Sequence, residues 1–275
     1  MMYSTIISTA DARALGPAAL FVDCRHDLFA PTAGYDAFLA GHPPRAVHLH
    51  MDRDLSGPIV PGVTGRHPLP SPSDFIRLMG AVGLRATTQV VAYDDKGGGL
   101  AARLWWMLRA LGHEAVAVLD GGIQAWTAAG YPMETGPAAP RPDTPLAASH
   151  LATSSVPRTC DRAQIAQLGN KPSATLVDSR TAERYRGEHE PIDPVAGHIP
   201  GAINLPWPEN LRDGKFKSVA ELKTRFAALG DEAGEVVFYC GSGVTACHNL
   251  LAFEVATGRV GRLYPGSWSE YLIGL

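Results

Sequence analysis

The feature that most constrains this chain is that it is written twice. "LFVDCR" (Leu20 to Arg25) returns as "TLVDSR" (Thr175 to Arg180), "GHPPRAVHL" (Gly41 to Leu49) as "GHIPGAINL" (Gly197 to Leu205), and "VVAYD" (Val90 to Asp94) as "VVFYC" (Val236 to Cys240). Three matches in one order at a nearly constant offset predict two domains of one fold, and 275 residues suffice for two cores. Between the halves "YPMETGPAAPRPDTPLAASHLATSSVPRT" is rich in Pro, Ala, Ser and Thr and has no helical or strand period, the composition of a semi-stiff linker. The expected division is residues 1–134, a linker over 135–157, and a second domain over 158–275.

Within each half, short aliphatic runs alternate with amphipathic stretches. "ALFVD", "RAVHL", "QVVAYD" and "EAVAVLD" read as strands, and "SPSDFIRLMGAVG" as a helix with a serine N-cap and a closing glycine. "GLAARLWWMLRALG" reads as a second helix ending at Gly112. The alternation predicts an α/β fold, a mainly parallel sheet with helices on both faces, whose sites form beyond the carboxyl ends of strands. Cys240 and Asp94 stand at that place in their halves.

After "VVFY" the next good helix is "VTACHNLLAFEVATG", so Cys240 to Gly243 must turn the chain in about four residues. Gly241 and Gly243 can take positive φ, aiming successive N–H groups at one centre, and a helix N-terminus adds partial positive charge there. Both favour a thiolate at Cys240, a nucleophile, and would also hold an anionic persulfide. An inert buried cysteine is the plainer reading, but it gives no reason for the Gly-Ser-Gly that follows. Cys247 sits in the apolar pattern of the helix and reads as packing, with a resolving thiol as the lesser alternative.

Composition narrows the function classes. A formal charge of −3 gives no electrostatic support for nucleic-acid or anionic-membrane binding. Apolar runs fall short of the ~18 residues a membrane span needs, and the first residues lack the basic start of a secretory signal, so a cytoplasmic protein is expected. Four cysteines with no CxxC pair match neither a disulfide scaffold nor a zinc site. "DDKGGGLAARL" lacks the phosphate-loop pattern and aligns with the turn after Asp94. His198 reads as fixing a turn before Pro200, Asp23 and Asp178 as tying strand ends to nearby backbone, and Trp105, Trp106 and Trp126 as core.

The duplicated layout, "GHIPGAINLPW", "DGGIQAW", "YPGSW" and above all "CGSGVTAC" resemble the two-domain sulfurtransferases of the rhodanese superfamily, from about Asp11 to the C-terminus. The neutral Gly-Ser-Gly-Val-Thr loop is similar to that of the 3-mercaptopyruvate sulfurtransferases, whereas thiosulfate enzymes usually carry basic residues after the cysteine. The resemblance implies two tandem rhodanese-like domains, the second catalytic and the first a degenerate copy with Asp94 in place of the cysteine. It implies Cys240 as nucleophile, Gly241, Gly243, Val244 and Thr245 as a substrate-binding loop, and Arg184 in "VDSRTAERYRG" as a substrate-binding arginine. A second substrate arginine of many mercaptopyruvate enzymes falls at Asp193, a departure for which Arg186 is the candidate substitute. Ser242, His67 in "GRHPLP" and Asp52 in "HLHMDRD" match a proton-managing group that would protonate the departing enolate. Read alone, Arg184 fits a solvated helix arginine, Asp52 is one charge among several, and His67 is a turn residue before Pro68.

The expected activity is transfer of sulfur from 3-mercaptopyruvate through a Cys240 persulfide to a thiol such as thioredoxin or glutathione, or to cyanide, with no metal or organic cofactor implied. The alternatives are transfer from thiosulfate to cyanide, and a persulfide carrier loaded by a dedicated desulfurase. A cysteine phosphatase would need an arginine six residues after the cysteine, where this chain has Ala246.

Overall fold

The computed structural model describes residues 2–139, 158–168, 174–230, 234–273 and 275. It divides into two compact units, Met1–Gly57 with Pro70–Ser154, and Pro58–Leu69 with Ser155–Leu275. A short segment of the first half of the sequence thus belongs to the second unit. The expected linker over 135–157 lies, from position 140 onward, outside the described residues.

The first unit contains β1 (Ile6–Ile7), α1 (Thr9–Leu15), β2 (Leu20–Asp23), α2 (Ala33–Ala40), β3 (Val47–His48), α3 (Pro72–Ala81), β4 (Val90–Tyr93), α4 (Ala101–Ala110), β5 (Val116–Leu119) and α5 (Gly122–Ala128). The sheet order is β1-β5-β4-β2-β3 and every pairing is parallel. β2, β4 and β5 are buried at every position, which is why their sequences are continuous apolar runs rather than alternating ones. Helix α3 begins as its sequence predicts, Ser71 Oγ accepting the Asp74 N–H at 3.1 Å with Pro72 in the first turn. Trp105, Trp106 and Trp126 are core. The expected strand "RAVHL" shrinks to two residues, and β1 is an edge strand of two residues, too short to leave a period in the sequence.

The second unit contains α6 (Arg162–Leu168), β6 (Ala174–Asp178), α7 (Ala182–Arg186), β7 (Ile203–Asn204), β8 (Leu211–Arg212), β9 (Lys215–Phe216), α8 (Val219–Phe226), β10 (Glu235–Tyr239), α9 (Ala246–Thr257), β11 (Arg262–Leu263) and α10 (Ser267–Tyr271). Its parallel sheet runs β11-β10-β6-β7, and a parallel bridge from Thr159 to Leu263 stands where β1 stands in the first unit. β8 and β9 form an antiparallel hairpin without a counterpart among the described residues of the first unit.

The repeat persists in register and in side-chain chemistry. Asp23 pairs with Tyr93 across β2 and β4, and Asp178 with Tyr239 across β6 and β10. Asp23 accepts the Arg25 backbone N–H at 2.9 Å and holds its guanidinium, which donates on to the Gly41 carbonyl at 2.8 Å. Asp178 holds Arg180 in the same way, and Arg180 donates to the Gly197 carbonyl at 2.6 Å. This ion pair ties each "VDxR" strand end to its "GHxP" turn, so the two motifs recur together for a physical reason: each is the other's hydrogen-bonding partner.

Candidate active site

Strand β10 delivers Cys240 to the carboxyl edge of the second sheet, and the chain needs only Gly241 to Thr245 before α9 starts. Cys240 is buried, its N–H donating to Ser267 Oγ at 3.1 Å and its carbonyl accepting the Trp268 N–H at 3.1 Å, so the start of the loop is fixed from α10. The Gly243 N–H donates to Cys240 Sγ at 3.2 Å. Of the two glycines expected at positive φ, only Gly243 takes it, at 77°, and a side chain there would collide with the Pro265 carbonyl. Gly241 is glycine because of what approaches it: a Cβ at this position would lie 2.9 Å from Arg66 Nη2 and 3.4 Å from Arg184 Nη2. Val244 is buried and Thr245 half-buried, and their carbonyls accept the first bonds of α9, from Cys247 and His248. Cys247 is buried and donates its S–H to the Gly243 carbonyl at 3.4 Å, bracing the loop from inside the helix.

Ser242 and His67 are both buried, and Ser242 Oγ lies 2.7 Å from His67 Nδ1. One proton is shared between these atoms in either tautomer. The segment carrying His67 is seated by its neighbours: the Arg66 N–H donates to Ser269 Oγ at 3.1 Å, and a Cβ on Gly65 would lie 2.6 Å from the Gly266 carbonyl oxygen. Asp52 belongs to the first unit, where its carboxylate is 3.6 Å from His26 Nε2 and its backbone N–H donates to His50 Nδ1 at 3.2 Å.

Arg184 projects from α7 toward the cysteine loop with its guanidinium anchored from behind. Glu190 takes its Nε at 3.0 Å and Nη2 at 2.7 Å, and Asp193 accepts from the same Nη2 at 3.2 Å. Glu190 also receives the Ile192 and Asp193 N–H groups and Arg180 Nη1. Burial pushes the Glu190 carboxyl up, but the Arg184 bond, these amides and the Arg184 charge outweigh it and hold it below the usual glutamate value. Arg186, the candidate second substrate cation, is exposed and spends its guanidinium on Glu188 through two 2.7 Å bonds. The second guanidinium at Gly241 is that of Arg66, which the sequence did not single out; its only signal is its place beside His67. Glu190 carried no signal, since one acid in a loop with several looks like any other.

In the first unit the position of Cys240 is taken by Asp94. Its buried carboxylate accepts the N–H groups of Lys96, Gly98, Leu100 and Ala101 at 2.7 to 2.8 Å, so a side chain fills the turn that would otherwise hold an anion. Burial pushes the Cys24 thiol well above the usual value and the Cys160 thiol up to about 11. His26, His50 and Asp52 offer ligand atoms within 4.8 Å of one another, but both ring nitrogens of His50 are engaged, by the Asp52 N–H and the Pro31 carbonyl. No helix among the described residues is long and apolar enough to cross a membrane.

The family model described as "Rhodanese-like domain" matches residues 8–129 and again 161–273. The chain is 46% identical over 266 residues to a protein of Pseudomonas aeruginosa named "Probable 3-mercaptopyruvate sulfurtransferase", covering 95% of this chain and 92% of that one. It is 40% identical over 258 residues to a "Putative thiosulfate sulfurtransferase" of Mycobacterium tuberculosis, covering 93% and 88%. The solved structure of 3-mercaptopyruvate sulfurtransferase from Leishmania major superposes with a TM-score of 0.85 at 33% identity, over 98% of this chain and 74% of that one. With both of its halves matched by the one model, and an α/β fold of parallel sheets in each, the chain belongs to the rhodanese family as a protein of two rhodanese-like domains.

Proposed function

We propose that this protein transfers sulfur from 3-mercaptopyruvate to a thiol or to cyanide through a persulfide on Cys240. The observation that carries the reading is the neutral loop that places a buried cysteine, a hydrogen-bonded Ser242–His67 pair and the Arg184 guanidinium around one short turn. Arg184 and the loop N–H groups hold the donor's carboxylate and carbonyl, putting its sulfur against Cys240 Sγ. The Cys240 thiolate forms the S–S bond as the C–S bond breaks, and the bonding pair leaves on carbon as the enolate of pyruvate. That carbon takes a proton from Ser242 Oγ, which His67 replaces; the Gly243 N–H supports charge on sulfur during attack. An acceptor thiolate then attacks the outer sulfur and Cys240 is released as thiolate, completing a two-step exchange.

The catalytic domain is residues 158–275 together with Pro58–Leu69, which carries His67, and the rest of residues 1–134 forms a copy whose site Asp94 has closed. Four free, buried cysteines suit a reducing compartment, which supports a cytoplasmic protein with thioredoxin or glutathione as acceptor. Thiosulfate is the second reading, favoured by two guanidiniums beside one loop and by the name of the mycobacterial relative. The ratio of kcat/KM for 3-mercaptopyruvate to that for thiosulfate decides between them: a ratio well above one supports the first, and turnover of thiosulfate alone overturns it. Persulfide on Cys240 from a desulfurase, with no turnover of either donor, would make the protein a carrier.

A further inference from the structure

One turn of the second unit exposes apolar side chains that its own core does not use. Ile59, Val60 and Val63 are 60%, 47% and 63% exposed, and no other stretch of five described residues holds even two large hydrophobic side chains so open to solvent. Single exposed hydrophobics are ordinary, whereas three on one turn form a patch that is stabilised by a cover. The stretch around them, "GPIVPGVTG" from Gly57 to Gly65, carries no charge. The patch is also stiff. Val60 and Val63 flank Pro61 and Gly62, the pair that sets a type II turn, with Gly62 at φ 74° and the Val63 N–H donating to the Val60 carbonyl at 3.0 Å. Thr64 closes the turn a second time: its N–H donates to the same carbonyl at 3.0 Å, and its Oγ1 accepts the Val60 N–H at 2.9 Å.

The residues that follow join this turn to the cysteine loop. Gly65 lies against the Gly266 carbonyl, the Arg66 N–H donates to Ser269 Oγ, the Ser269 N–H donates to the Gly241 carbonyl at 2.9 Å, and His67 reaches Ser242. At ~3.3–3.6 Å per residue, Val63 is within about 7 Å of Gly65 and Ile59 within about 20 Å. A partner that covers all three side chains and also brings a sulfur to Cys240 needs a face on the scale of a protein interface, about 800 Å² on its side, which neither cyanide nor a tripeptide thiol offers.

We propose that Ile59, Val60 and Val63 form a docking ridge for a protein thiol acceptor, which lays an apolar face on the turn while its thiolate attacks the outer sulfur on Cys240. The proposal rests on the Cys240 persulfide assigned above, and it selects protein thiols over small ones. In the step, the acceptor thiolate bonds to the outer sulfur as the bond to Cys240 Sγ breaks; Cys240 leaves as thiolate, and the acceptor keeps the transferred sulfur and its proton as a persulfide. A preformed turn loses little conformational entropy on docking, and an uncharged ridge adds affinity without steering, so its effect falls on capture of the acceptor and not on the chemistry.

The test follows loss of the outer sulfur from full-length protein whose Cys240 has been loaded with inorganic polysulfide, located on Cys240 by fragment masses, so that the result is independent of the natural donor. The acceptors are reduced thioredoxin, glutathione and cyanide. Combined Ile59→Ser, Val60→Ser and Val63→Ser should lower the second-order rate constant for thioredoxin about tenfold or more, and leave those for glutathione and cyanide within about twofold of wild type. Val60→Ile with Val63→Ile, which keeps the ridge apolar, should stay near wild type with all three. Equal losses with every acceptor would place the role of the turn in seating Arg66 and His67, and an unchanged rate with thioredoxin, or no transfer to it from wild type, would leave the ridge without a docking role; each overturns the proposal. So does sedimentation of wild type as a dimer that the triple substitution dissociates, with thioredoxin rates unchanged, because the ridge then covers a second copy of the chain. Turnover of mercaptopyruvate by the same wild-type preparation is a separate reading: its absence removes the donor assignment, while a loss selective for thioredoxin still upholds the ridge.

Discussion

Ser242 Oγ and His67 Nδ1 share a hydrogen bond of 2.7 Å across 175 residues of sequence, and that bond divides the two donors chemically. Breaking the C–S bond of mercaptopyruvate leaves a carbanion equivalent that must be protonated. Breaking the S–S bond of thiosulfate leaves sulfite, which needs no proton on carbon. Ser242→Ala and His67→Gln should each lower kcat with mercaptopyruvate about a hundredfold while changing kcat with thiosulfate by no more than about threefold. Equal losses with both donors would show that the pair serves loop geometry and not the enolate.

The two glycines of the loop are there for different reasons and should fail differently. Gly243→Ala places a side chain at φ 77° and against the Pro265 carbonyl, so it should destabilise the fold by about 2–4 kcal/mol and lower Tm accordingly. Gly241→Ala meets only the ends of two long side chains. It should cost less than about 1 kcal/mol of stability, yet raise KM for mercaptopyruvate about tenfold by pushing Arg66 and Arg184 aside. Thermal melts and steady-state kinetics on the same preparations separate the outcomes; a large drop in Tm for Gly241→Ala would place its role in the fold.

The contrast marks where the sequence is legible. The duplicated fold, the strand ends at Asp94 and Cys240 and the N-cap of α3 could all be read because each is a local pattern with a local cause. The two-residue strand β1 could not, since an edge strand of that length is defined by its partner and not by its own period, and "RAVHL" was legible as a strand but not in its shrunken extent at Val47–His48. The same holds at the site. Cys240 and Ser242 announce themselves through the glycines around them, and Arg184 through its distance from "VDSR". Arg66 and Glu190 take their places through partners brought near by folding, a relation with no fixed spacing.

Asp94 is the clearest trace of the site's history, and it has a stability consequence. Four N–H groups that would otherwise aim at an anion are satisfied by one buried carboxylate. Asp94→Ala leaves them pointing into a void and should destabilise the protein by about 3 kcal/mol or more. The folded variant should keep its kcat, because no step runs through this turn. A melt in the presence of phosphate or sulfate adds a second readout: partial rescue by the anion is expected if the turn is a nest emptied of its carboxylate, and no rescue shows that the loop has collapsed instead.

Glu190 should report on the site through pH. Its carboxylate collects both Arg184 donors, Arg180 Nη1 and two loop N–H groups, and it is held ionised below the usual glutamate value, against the opposing pull of burial. A carboxyl whose folded value is depressed binds fewer protons in the native state than in the unfolded one. Its contribution is therefore complete above the ordinary value near 4.5 and is lost as pH falls through the lower folded value. Glu190→Gln puts an amide N–H₂ against donors and should cost about 2 kcal/mol at neutral pH. The gap between wild type and variant should narrow as pH falls below about 4.5, because wild type then loses the same ion pairs. At neutral pH the variant should also show KM for mercaptopyruvate raised about tenfold with a smaller change in kcat, since Arg184 loses its aim while Cys240, Ser242 and His67 keep theirs. Urea melts of both proteins from neutral pH to about pH 3 check the first expectation, and a gap that stays constant across that range would show that the ionised Glu190 carboxylate is not what holds Arg184 in place.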